Sequence, residues 1–149
     1  MEIEMKKQIL TSLLIVAALI GLNTVARAQS QRKWTGNVPF EFTAGGKTFA
    51  AGDYVVKIVN PSSDRPVLVV QNAKTRESVI VQATSGTGKA SDDATLQFRR
   101  YGDSYFFAVV QLAGESTNLT IAKSKAERAI RSEWARNGGE ATMVAVKHK

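Results

Sequence analysis

The sequence predicts a mainly β domain, an antiparallel β-barrel or β-sandwich of about eight strands with one C-terminal helix packed on it. Three observations carry this. From Trp34 to Phe42 the apolar and aromatic residues keep one parity while Lys33, Thr35, Asn37, Pro39 and Glu41 keep the other, the pattern of a sheet with one dry and one wet face. Short β-branched runs then recur between Gly-Gly, Gly-Asp and Asn-Pro turns. Near the end a capped segment with helical spacing appears at Ser124.

In chain order, Pro39 sits inside the first strand at a solvent-facing parity, which places that strand at a sheet edge, since proline cannot donate to a ladder. Gly45-Gly46 supplies a turn tolerant of positive φ, and Ala51-Gly52-Asp53 the next reversal into Tyr54, Val56 and Ile58. Asn60 to Pro66 reads as a loop. Val67 to Gln71 and Ser78 to Ala83 are two further strands around the polar connection Asn72 to Glu77. Thr84 to Asp93 holds no apolar residue larger than Ala90 and reads as a mobile loop. Leu96 and Phe98 alternate up to Arg100-Tyr101, Gly102-Asp103 fits a type II′ hairpin, and Ser104 to Leu112 is apolar on both parities, as a central strand covered on both sides requires. Leu119 and Ile121 allow a brief strand, as do Thr142 to Lys147. Between them, Ser124 and Glu127 form a capping box, with Ala126, Ala129, Ile130 and Trp134 as the docking stripe and Asn137-Gly138-Gly139 as the stop. Lys125, Arg128, Arg131 and Arg136 fall on the outer face with Glu127 and Glu133 as helical partners.

Residues 1–28 read as a secretory signal peptide, because Lys6-Lys7 leads into the apolar run Ile9 to Leu22 and then Ala26-Arg27-Ala28. That run is too short for the roughly 20 apolar residues of a bilayer span, so residues 29–149 form one β-rich domain with no transmembrane segment, secreted or periplasmic. The whole chain carries a net charge of +7, and the mature part stays basic. With no cysteine there is neither a disulfide nor a thiolate, and packing alone must hold the fold.

The order V-P-F-E-F (38–42), A-G-G-K-T-F (44–49), A-G-D-Y-V-V (51–56), R-Y-G-D-S-Y-F-F (100–107) and K-S-K-A-E-R (123–128) resembles a family of small exported bacterial proteins of uncharacterised function. The family tends to carry proline before the A-G-x-Y turn, where this chain has Ala50. The resemblance implies export and the domain boundaries, and brings no functional residue with it.

No catalytic constellation is legible. Ala83 to Ala90 imitates a phosphate-binding loop, but alanine replaces both its first glycine and its hydroxyl, and a strand follows instead of a helix. The one histidine, His148, is penultimate, so serine and cysteine hydrolase schemes lack parts. Asp53, Asp64 and Asp103 belong to turns, and Asp92-Asp93 has no calcium-loop pattern around it. The sequence therefore points to a non-enzymatic protein with no catalytic residue, cofactor or metal. Arg99, Arg100, Tyr101 and Tyr105 gather cations and rings on one hairpin, and with Arg128 and Arg131 they make the candidate partner-binding patch. Because glutamates alternate with the helix cations, the expected charge is diffuse, with no specific nucleic acid as partner. The resulting expectation is an exported envelope or extracellular interaction module whose partner is an anionic envelope polymer or a protein. The alternative is a carrier that encloses a small apolar ligand in a barrel.

Overall fold

The computed structural model describes residues 1–6 and 32–149. The expected leader's apolar run and cleavage site lie outside the described residues. The chain divides into two units, Met1–Ser30 and Gln31–Lys149, and the second holds the β domain. Among the described residues, no helix is long and apolar enough to cross a membrane.

Ten strands and one helix follow in order in this domain: β1 (Lys33–Val38), β2 (Phe42–Ala44), β3 (Lys47–Phe49), β4 (Gly52–Ile58), β5 (Val67–Asn72), β6 (Ser78–Thr87), β7 (Thr95–Tyr101), β8 (Ser104–Gln111), β9 (Thr117–Ile121), α1 (Lys125–Arg136) and β10 (Thr142–Lys147). The class is the expected one, mainly β with the C-terminal helix packed against the sheet. The strands pair in the order β1-β4-β5-β6-β9-β8-β2-β3, with β7 on β8 and β10 on β7. All ladders are antiparallel except β2 beside β8. The sheet is not closed. Where its ends approach, the Lys149 amide donates to the Thr35 carbonyl at 3.1 Å, and no ladder forms between β1 and β10.

Two expectations about strands are corrected. Pro39 does not lie within a strand: it has no amide hydrogen to donate, so the ladder with β4 stops at Val38 and the chain leaves to pair with β8 as β2. The segment from Thr84 is not all loop, because β6 runs on to Thr87. Its first half pairs with β5 and its second half, Ala83 to Thr87, with β9. Gly86 and Gly88 permit this, since a Cβ there would stand 2.7 and 2.9 Å from the Asn118 side chain.

The turn chemistry follows the sequence. Gly45 and Gly46 both have positive φ, 56° and 78°, as a type I′ hairpin requires between Ala44 and Lys47. Gly102 alone is positive in the β7–β8 turn, at 61°, as in type II′.

The core fills the space between the two halves of the folded sheet. Trp34, Val56, Leu68, Phe98 and Phe107 contribute to it from five strands. Phe42 packs against Phe49, Tyr54 and Phe98 at centroid separations of 5.5, 5.0 and 5.1 Å. β8 is covered on both sides, with Phe107 and Val110 in this core and Phe106 set edge-on to Tyr101 under the helix.

The helix departs from its expected stripe. Ala126 and Ala129 are exposed, and the face that meets the sheet is Glu127, Ile130 and Trp134. Trp134 sits in a slot between glycines. A Cβ on Gly102 would come within 3.0 Å of the indole, and one on Gly139 would overlap its shared ring bond. We expect Gly139→Ala to destabilise the domain by about 1–3 kcal/mol through overpacking. Chemical denaturation followed by tryptophan fluorescence checks this, and a midpoint equal to that of the parent would contradict it.

Candidate functional site

The candidate patch splits in two once folded. β7 alternates its side chains, so Arg99 and Tyr101 share one face and Arg100 takes the other. The first face is covered by the helix. Arg99 is only 9 % exposed, and its Nε and Nη2 donate to the Glu127 carboxylate at 2.5 and 3.0 Å. Nη2 also donates to the Ile121 carbonyl at 3.1 Å, and the Tyr101 hydroxyl donates to Glu127 Oε1 at 3.0 Å. Burial, and then the hydrogen bond to Glu127, push the Tyr101 phenol above its ordinary pKa. Arg99 and Tyr101 are therefore anchors of the helix, although Tyr101, 3 % exposed, still forms part of the wall of a groove at the hairpin tip.

This network also changes the N-terminus of the helix. Ser124 Oγ accepts from the Glu127 amide at 3.1 Å, as a capping box predicts. The return bond from the glutamate is missing, because its carboxylate turns to the buried guanidinium, whose unpaired burial would cost far more than one amide.

The other face of the hairpin stays open. Arg100 is exposed; its Nε donates to the Gly102 carbonyl at 2.7 Å, and its guanidinium lies 5.4 Å from the centroid of the Tyr105 ring. Tyr105 is half-buried and stacks on Phe40 at 4.0 Å. Between the hairpin tip and the end of the helix, Arg100, Gly102, Asp103, Trp134, Glu140 and Thr142 line an open groove of about 470 Å³. Trp134 Nε1 donates to the Glu140 carbonyl at 3.1 Å, which commits its polar edge.

The electrostatic consequence lies on the helix. With Glu127 turned inward, the exposed cations Lys125, Arg128, Arg131 and Arg136 face outward with Glu133 as their one acidic neighbour on the helix. Glu127 bonds to Arg99 instead of Arg131, and no ion pair joins Glu133 to Arg136. Arg128 reaches back to the Lys123 carbonyl at 3.0 Å, which aligns it with the start of the helix.

The sequence reading took Glu127 as a cap and a surface partner and missed its burial, although Glu127, Ile130 and Trp134 hold the i, i+3, i+7 spacing of a buried stripe. A second meeting was also missed. His148 Nε2 lies 3.1 Å from Thr35 Oγ1, brought there by the return of β10 beside β1. No carboxylate is bonded to the ring among the described residues, so the pair lacks the orienting group of a nucleophile triad.

A small second concavity, under the Arg32–Glu115 pair and lined by Ile58, Val110, Leu112 and Leu119, has about 20 Å³ of room, enough for a water. Among the described residues, Trp34, Phe42, Phe49, Tyr54 and Phe98 fill the space between the two halves of the sheet.

Fold and site together define a β-rich domain that displays a basic helix, held in place by a buried ion pair. No protein-family model, no curated protein and no solved structure matches the chain.

Proposed function

We propose that this is an exported, non-enzymatic interaction module that binds an anionic polymer of the envelope or the extracellular space along the outer face of α1. The observation that carries the reading is the inward turn of Glu127, which leaves Lys125, Arg128, Arg131 and Arg136 opposed by Glu133 alone on that helix. The leader-like start and the motif resemblance to small exported proteins support the location. Arg100, on the neighbouring hairpin, adds a cation beside the groove.

Retention on immobilised heparin tests it. Affinity should fall steeply with salt, each engaged cation adding about one unit to the slope of log affinity on log salt. Reversing Lys125, Arg128 and Arg131 to glutamate should remove most of the retention, whereas reversing the exposed Lys74 and Lys89 should leave it nearly intact. Equal losses from both sets would mean that a diffuse charge binds and that the helix face is no site.

A further inference from the structure

The half of the sheet formed by β1, β4, β5 and the start of β6 has an outer face that the helix does not touch. The register places Lys33 opposite Lys57, Lys57 opposite Val69, and Val69 opposite Ile80. Two lysines and two aliphatic residues thus form one straight row across four strands. The row faces outward, since the alternate residues Trp34, Val56, Leu68, Val70 and Val81 are buried. Ile80 is 69 % exposed, and Val59, beside Val67 at the edge of the same face, is 63 % exposed.

The flanking row, Thr35, Val55, Gln71 and Ser78, contains no acid, and among the described residues neither Lys33 nor Lys57 belongs to an ion pair. Like charges directly opposite in a ladder oppose folding, so the Lys33–Lys57 pair is a local cost within the isolated domain. A facing negative charge would relieve it.

We propose that this face docks on an anionic lipid surface. The lysine stems lie along the sheet with their ammonium groups at headgroup level, while Ile80 and Val59 enter the boundary below. A leaflet offers negative charge and an apolar layer together, in the order in which these side chains reach it. A second copy of the chain fits worse, because it would set lysines against lysines or against Val69 and Ile80 and bury unpaired cations either way. An acidic protein surface would meet the lysines and leave Ile80 uncommitted. This face is separate from the helix, so binding here and heparin binding can fail independently.

Since the chain has no cysteine, one can be placed at will. An environment-sensitive fluorophore on Ile80→Cys should shift to the blue with vesicles of phosphatidylglycerol and phosphatidylcholine, and stay unchanged with phosphatidylcholine alone. The same label on Ala90→Cys, exposed in the loop between β6 and β7, should not respond. Adding Lys33→Glu and Lys57→Glu should weaken the response, by roughly fivefold for each lysine removed. The proposal is overturned if the label at 80 gives no shift on anionic vesicles, or if the shift survives both reversals. A similar shift with soluble polyglutamate would assign the face to an acidic protein, and one that grows with protein concentration without lipid would assign it to self-association. Either result also overturns the lipid surface.

Discussion

Glu127→Ala is expected to cost about 3–5 kcal/mol of stability, a large share of what a domain of this size holds, because it strands a buried guanidinium. Arg99 would keep only its bond to the Ile121 carbonyl, and the Tyr101 hydroxyl would lose its acceptor. The carboxylate is 2 % exposed, so water cannot readily take its place. Urea denaturation followed by circular dichroism measures the loss. The double variant Arg99→Met with Glu127→Leu should recover most of it, since two apolar groups of similar volume leave no charge to satisfy. A single variant within about 1 kcal/mol of the parent would show that the helix is held by Trp134 and Ile130 instead.

Trp34→Ala should be comparably damaging, with a loss of about 3–5 kcal/mol from the cavity left in the core. Trp34 is fully buried, and its indole lies over Gly36 of its own strand, where a Cβ would come within 2.7 Å of the ring. Its Nε1 has no hydrogen-bond partner among the described residues, an unmet donor that itself costs about 1–3 kcal/mol. Trp34→Phe should therefore lose much less than Trp34→Ala, because it keeps most of the ring and discards the unmet donor. The same urea measurements compare the two variants; equal losses would contradict this expectation.

These two residues differ in how far they could be foreseen. The burial of Trp34 followed from parity alone: the period of two that runs through Gly36 and Val38 put it on the dry face. The hairpin at Gly102, the cap at Ser124 and the strand that includes Phe106 and Phe107 were legible for the same reason, since each depends on neighbours a few residues away. The fate of Arg99 and Tyr101 was not. Both resemble surface residues of a strand with one wet face, and only a helix 28 residues later in the chain, crossing that face with a carboxylate at the right height, buries them. The extension of β6 to Thr87 likewise required β9 as its partner, because a polar run has no strand preference strong enough to declare itself.

The sequence by itself determined the class of the domain, its turns, its core parity and its basic charge, all of which rest on local stereochemistry and composition. Tertiary structure decided which charges remain outside. By pairing Glu127 with Arg99 in a water-poor contact, the fold removes one charge of each sign from the surface and leaves the helix cations with little local opposition. It also lined up Lys33, Lys57, Val69 and Ile80 from four strands into one row. Register between distant segments is set by the packing of the whole core, so that row was not visible in the order of residues along the chain, whereas the cations of the helix face were and only the withdrawal of Glu127 from among them was not.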